Sequence, residues 1–202
     1  MRIEDETHGI EIRHENQAAR VMPPRGFDPP VFLFGHLGVG LGLVWLVASQ
    51  IRRKPDYRPV LLGTILPDLI DKPLGAALGL DSRLWGHTLA FFAILVLLDR
   101  LPALRGIGWL GGGVGTHFLL DQIWETPAVV LWPSLGWAFP NGALSVEFYW
   151  YVLLHDPVVQ LGEAAGIAIL IGFAWTQGIR SWDALRSFIR RGAVARASWD
   201  PK

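Results

Sequence analysis

Cysteine is absent from the 202 residues, which excludes disulfides and thiolate ligands and leaves any bound metal to nitrogen and oxygen donors. Charge is scarce as well: 18% of the residues are charged, against roughly 25% in an ordinary soluble domain. Net charge is missing altogether, since 18 basic residues balance 18 acidic ones; nothing in that balance argues for a nucleic-acid partner, and none is expected. The N-terminus has no apolar run behind a basic start, so no signal peptide is expected. No repeat relates the two halves of the chain. What remains is apolar: 51% of residues are hydrophobic, mean hydropathy is +0.33, and ten Trp residues include several near segment ends, where indole favours the lipid–water boundary. This composition predicts an all-α, polytopic membrane protein.

Periodicity and apolar runs divide the chain into a polar N-terminal arm over 1–30, a transmembrane bundle over 31–176 and a basic amphipathic tail over 177–202. About five spans are expected. The first runs from Val31 to Ile51, long enough to cross a hydrocarbon core of ~30 Å, with small Gly35, Gly38, Gly40 and Gly42 for close helix packing. The second runs from about Pro59 to Leu80, the third from Leu84 to about Leu101, and the fourth from Gly106 to about Trp124. The last region, Ala143 to Thr176, is too long for one crossing, and Pro157 is expected to kink or split it. Beyond Gly178, the spacing of Ile179, Trp182, Leu185 and Ile189 predicts a helix lying in the membrane interface. Arg52, Arg53, Lys54, Arg58, Arg100, Arg105 and the arginines of the tail fall on one side of this topology. By the positive-inside rule the C-terminus is then cytoplasmic and the N-terminus outside.

The chemistry lies inside the spans. Asp68 and Asp71 stand three residues apart in Leu61–Asp71, LLGTILPDLID, on one helix face, where they could grip a cation together. An ionised side chain near the bilayer centre costs roughly 2.5–3.5 kcal/mol, so such acids pair, line a wet cavity or bind metal. His117 and Asp121 share a face of the fourth span, while His36 and His87 lie near the outer ends of the first and third. In the expected topology all six fall in one layer, the outer half of the membrane. Imidazole and carboxylate without thiolate suit zinc first, then manganese or iron, as one or two ions. Each position also has a plain structural reading: His36 and His87 as helix–helix hydrogen-bond partners, Asp68 as a cap after Pro67, and Asp121 as the carboxylate that orients His117. His155 and Asp156 flank a helix break, where capping competes with catalysis. Glu147 and Glu125 read as interfacial, and His8 and His14 belong to the arm.

Together these residues resemble the membrane-bound metal-dependent hydrolase family of small inner-membrane proteins. The resemblance rests on Gly35-His36, on Leu66-Pro67-Asp68-Leu69-Ile70-Asp71, on Gly86-His87-Thr88 and on Thr116-His117-Phe118-Leu119-Leu120-Asp121. It is completed by Pro127, Trp132-Pro133 and Asp156-Pro157, all in the family's order. It implies a helical inner-membrane hydrolase with His36, Asp68, Asp71, His87, His117 and Asp121 at the metal site. The pattern also loosely resembles the all-helical zinc phospholipase C proteins, which implies a phosphoester substrate. One departure stands out: family members carry an HRxxTH element, and here Ser82 replaces its first histidine, so a complete second metal site is not expected to follow from the family.

The resulting expectation is an integral-membrane, metal-dependent hydrolase that cleaves an ester, a phosphoester first, of a lipid or lipid-linked substrate. Asp68, Asp71, His117 and Asp121 would be catalytic, Arg83 would bind the substrate's anionic group, and Asp156 would assist. The alternative is a transporter or channel whose buried acids and histidines handle protons or metal ions; a third reading is a structural protein with a vestigial site. Transport predicts access from both sides and usually an internal duplication.

Overall fold

The structure, a computed structural model, describes residues 31–52, 55–104, 107–140 and 146–192. The expected arm, with His8 and His14, and the end of the tail lie outside the described residues. Among those residues every regular element is helical and no strand occurs. The order is α1 (Gly35–Gln50), whose first turn Gly35–Val39 is π-wound, α2 (Tyr57–Gly63), α3 (Leu66–Leu78), a 3-10 turn at Trp85–His87, α4 (Leu89–Leu98), α5 (Ile107–Leu120), a short α6 (Pro127–Val130), α7 (Val146–His155), α8 (Pro157–Thr176) and α9 (Trp182–Arg191).

The helices are more interrupted than the apolar runs predict. Among the described residues only α8, with 20 residues, has the length and composition to cross a membrane unaided; at ~1.5 Å per residue it reaches ~30 Å. The expected second span is two helices, broken at Thr64 and Ile65, because Pro67 has no N–H to give the Gly63 carbonyl and its ring crowds the preceding turn. The expected third span retains only the ten residues of α4; the stretch ahead of it folds as a loop and a 3-10 turn, and Thr88 caps α4 by accepting the Phe91 N–H at 3.0 Å. The last region breaks where proline demands. Asp156 receives the Val158 and Val159 N–H groups at 2.8 and 3.2 Å, capping α8 as Pro157 starts it.

Two glycine contacts set the packing. Gly63 on α2 and Gly113 on α5 lie so close that a Cβ on Gly113 would strike the Val60 carbonyl and a Cβ on Gly63 the Leu110 carbonyl. Gly38 on α1 and Gly166 on α8 meet in the same way, backbone to backbone. Apolar clusters close around these crossings. Leu41, Val44, Val60, Phe173 and Phe188 form one; Leu95, Val114, Phe118, Ile123 and Val130 form a second. The outward face of α8 is left bare, with Val158, Leu161, Ile171 and Trp175 all more than 60% exposed. Lipid chains accept such a surface, and soluble monomers seldom show one.

The amphipathic tail is helix α9, capped by Ser181, which accepts the Ala184 N–H at 3.2 Å, and ended by Gly192 at φ +69°. Phe188 anchors it on Phe173, ring centroids 6.3 Å apart. A polar latch adds to this: Arg58 donates to the Ile189 and Arg190 carbonyls at 3.3 and 2.7 Å and to both Asp56 oxygens. Those hydrogen bonds from Arg58 hold the Asp56 carboxyl below its ordinary pKa. A depressed carboxyl pKa stabilises the fold above the unfolded value of about 4 and ceases to do so as pH falls through the folded value. Amide exchange in α9, corrected for intrinsic rate, should therefore quicken as pH drops below about 4, and Asp56→Asn should show the quicker exchange already at neutral pH.

The crossing makes a second expectation. Gly113→Val should lower the thermal midpoint in detergent, at a cost of about 1–3 kcal/mol or more, since backbone rather than a flexible side chain blocks the new atoms. Gly162→Ala, where an added Cβ meets nothing within 4 Å, should leave the midpoint nearly unchanged.

Candidate metal centre

Four elements bring five ionisable side chains together. The π turn of α1 carries His36, the first turn of α3 carries Asp68, the 3-10 turn carries His87, and α5 carries His117 with Asp121 directly beyond its end. One donor atom from each of Asp68, His87, His117 and Asp121 lies within 4.8 Å of the other three. The Nε2 atoms of His87 and His117 are 3.1 Å apart. Asp121 Oδ2 is 3.3 Å from His87 Nε2 and 3.6 Å from His117 Nε2, and Asp68 Oδ1 is 3.8 and 3.9 Å from the same two nitrogens. Tetrahedral donors held ~2.0–2.2 Å from a zinc ion stand roughly 3.3–3.6 Å from one another, so the spacing suits an ion at the common centre.

The hydrogen bonds behind the cluster decide which ring nitrogens face it. His117 Nδ1 is 2.8 Å from the Thr64 carbonyl. A carbonyl only accepts, so Nδ1 carries the proton and Nε2 presents a lone pair. The helix break supplies that carbonyl, since no residue of α3 claims it. His87 Nδ1 is 2.7 Å from Asp71 Oδ2, which sets the same tautomer. Asp71 is wholly buried and fully occupied: Oδ2 also accepts the Leu84 and His87 N–H groups and Oδ1 accepts that of Gly86. Gly86 is needed there, because a Cβ would stand 3.0 Å from Pro67 Cα and 3.1 Å from Asp71 Oδ1. In the neutral rings two lone pairs therefore point at each other across 3.1 Å, with two carboxylates alongside. Only a positive species between them, a proton or a cation, relieves that repulsion.

His36 makes the same point independently. It is 1% exposed, and neither ring nitrogen has a hydrogen-bond partner, although Nε2 lies 3.2 Å from Asp121 Oδ1 and 3.9 Å from Asp68 Oδ2. Its ring stacks on His117 with centroids 4.2 Å apart. A buried imidazole without partners is costly, and a cation in the cluster would give it a ligand role. The donor set, imidazole nitrogen and carboxylate oxygen, is one that zinc accepts.

Asp68, His87, His117 and Asp121 thus share one pocket, with His36 against it. Asp71 does not join them. Asp68 and Asp71 do not grip an ion together, because α3 turns Asp71 toward the loop ahead of α4 while Asp68 faces the imidazoles. The orienting carboxylate at this site is Asp71, acting on His87; Asp121 faces the pocket itself. Arg83 stands at the edge, its Nε 3.6 Å from Asp121 Oδ2 and its Nη2 donating to the Asp121 carbonyl at 3.2 Å. Ser82 donates to Asp81 at 3.3 Å. His155 Nδ1 bonds the Tyr151 carbonyl at 2.9 Å, and Asp156, engaged as the cap of α8, is not part of the cluster. Two contributors went unread in the sequence. The Thr64 carbonyl left no signal in side-chain types, whereas Lys72 was findable as the i+4 neighbour of Asp68; its Nζ lies 2.6 Å from Asp68 Oδ2.

A family model described as YdjM inner membrane protein matches residues 32–182 of the chain. No curated protein and no solved structure matches it.

The role given to Asp71 is testable without any substrate. Asp71→Asn keeps the shape of the side chain but removes the charge that holds His87, and it should weaken metal binding by about 10–100-fold in a titration of the purified protein. Unchanged affinity would remove Asp71 from the site.

Proposed function

Since the chain belongs to the YdjM inner membrane protein family, and since that membrane chain buries facing imidazole lone pairs beside two carboxylates, we infer that it is an integral-membrane, metal-dependent hydrolase. The reaction is attack of water on an ester, a phosphoester first, of a lipid or lipid-linked substrate. The carrying observation is the 3.1 Å approach of His87 and His117 Nε2, both rings fixed from behind with their lone pairs turned inward. Nε2 of His87 and His117, Oδ1 of Asp68 and Oδ2 of Asp121 would hold one divalent ion, zinc in the first place, with His36 Nε2 beside them. Such an ion, when bound, acidifies a ligated water and polarises the bond to be cleaved.

The chain's own residues do the rest. Asp71 and the Thr64 carbonyl keep both imidazoles in the ligating tautomer, which holds their nitrogens in place before anything binds. A carboxylate of the pair Asp68 and Asp121 takes the proton of the attacking water and can return it to the leaving alcohol. Arg83, 27% exposed at the edge of the pocket, offers a planar fork to an oxyanion of the substrate. The buried walls keep bulk water from the centre, which strengthens each of these interactions.

The site is reached within a bundle whose spans are built partly from paired short helices. In this reading α2 and α3 act as one broken span, α8 crosses by itself with α7 ahead of it, and the basic residues around Arg52 and α9 face the cytoplasm. Broken helices at membrane depth are tolerated where protein buries them, and the buried break at Thr64 gives its carbonyl to His117.

Protein purified without chelators should carry roughly one divalent ion per chain, measured by elemental analysis, and Asp68→Ala and His117→Ala should lose it. The same preparation should release phosphate or headgroup from phosphorylated lipids only while loaded. Equal, negligible metal in wild type and variants would sink this reading, and ion flux into proteoliposomes without hydrolysis would favour the transporter.

A further inference from the structure

Lys72 has no part in the scheme above, yet it touches the site. It lies one helical turn beyond Asp68 in α3, with Nζ 2.6 Å from Asp68 Oδ2. The other oxygen of the same carboxylate is the one turned to His87 and His117. Asp68 therefore offers one oxygen to the imidazoles and the other to an ammonium group. Arg83 reaches Asp121 from the loop ahead of α4, with Nε 3.6 Å from Oδ2, the oxygen that also faces the imidazoles, and with Nη2 on the Asp121 backbone carbonyl. The two cations differ from the imidazoles in exposure: the Lys72 and Arg83 side chains are 37% and 27% exposed, whereas those of His36, His87 and His117 are at most 2%. Lysine and arginine thus stand outward of the cluster, and the histidines are buried within it. The Lys72 ammonium also lies 5.5 Å from the centre of the Tyr149 ring on α7, a cation–π contact that holds it there.

Stability is a poor reason for this arrangement, because partly exposed i,i+4 pairs contribute little. Charge gives a better one. Asp68, Asp71 and Asp121 outnumber the two cations by one, so with neutral imidazoles the site is negative and attracts a cation; one divalent ion reverses the sign. The loaded site then attracts an anion, and the exposed cations stand where its oxygens would arrive.

Resting on the metal-centre reading above, we propose that Lys72 and Arg83 form a two-cation rim that binds the phosphoryl oxygens of the substrate, Lys72 from the Asp68 side and Arg83 from the Asp121 side. The same ammonium competes electrostatically with the metal ion for Asp68, so Lys72 exchanges some metal affinity for substrate affinity. The ligand is a phosphoryl anion, carried either by a lipid headgroup or by a free phosphoester.

The test uses full-length protein in nanodiscs of zwitterionic lipid, titrated first with zinc and then with inorganic phosphate. Lys72→Met should bind zinc several-fold more tightly than wild type and, once loaded, bind phosphate at least about tenfold more weakly. Lys72→Arg should restore phosphate binding, and Lys72→Gln should repeat the loss with a polar side chain. Arg83→Met should weaken phosphate binding in the same direction. Unchanged phosphate affinity in both Lys72→Met and Lys72→Gln overturns the rim while leaving the metal centre standing. Failure of wild type to take up zinc overturns the metal centre itself and the rim with it. Phosphatidic acid in the discs separates the sources: tighter Lys72-dependent binding of that lipid than of inorganic phosphate assigns a headgroup, and the reverse assigns a free phosphoester.

Discussion

Two imidazole nitrogens, each turning a lone pair inward while its ring is neutral, meet at 3.1 Å in the buried middle of a helical bundle. Two carboxylates stand beside them and a third histidine has neither nitrogen satisfied. In water such a group would be solvated and would disperse; in a low-dielectric interior the repulsion is strong and the cost of an unpaired polar atom is high. The bundle keeps these groups together because most are tied from behind. Asp71 receives three backbone N–H groups and the His87 ring, and the Thr64 carbonyl holds His117. The arrangement is thus held with a negative centre, which a positive species, a proton or a cation, would complete.

The interruptions of the helices are what make this centre possible. An unbroken helix through 59–80 would satisfy the Thr64 carbonyl internally and leave His117 without an acceptor. A helix starting at Leu84 would point its first N–H groups along its own axis, whereas the loop and 3-10 turn curl those of Leu84, Gly86 and His87 around the Asp71 carboxylate. Pro67 forces the first interruption, and Gly86 lets the second lie against it, with Thr88 restarting the helix as its cap. The Gly63–Gly113 contact then brings the break and α5 within reach of each other. Motif residues that look unrelated along the chain are parts of one arrangement: proline breaks a helix, glycine allows approach, histidines turn their ring nitrogens inward, threonine caps.

The rest of the molecule faces outward in two ways. The bare side of α8, with Leu161 and Ile171, suits lipid chains, and α9 is laid along the bundle by Phe188 and by the Asp56–Arg58 latch. At the histidine–aspartate cluster the outward groups are instead Lys72 and Arg83, one beside Asp68 and the other beside Asp121. The chain thus shows an apolar surface along α8 and positive charge beside its buried cluster.

Much of this was legible in the residues. Apolar runs with few charges required helices, because only internally bonded backbone survives in lipid. Pro157 required a break, and Asp156 ahead of it is a cap. The spacing of Trp182, Leu185 and Ile189 required an amphipathic α9. Asp68, His87, His117 and Asp121 announced themselves by the cost of polar groups inside apolar runs. The roles within that set were not legible. Helical spacing placed Asp68 and Asp71 on one face as joint ligands, but the loop ahead of α4 folded back and its N–H groups claimed Asp71. Continuous spans were expected where the structure has paired short helices, since hydropathy averages over a break that costs only a few backbone bonds. The sequence by itself determined that polar groups would be buried in helices and which residue types would supply them. Tertiary structure alone decided which oxygen and nitrogen atoms face one another, because that depends on backbone carbonyls and amides, which every residue carries and no residue type reveals.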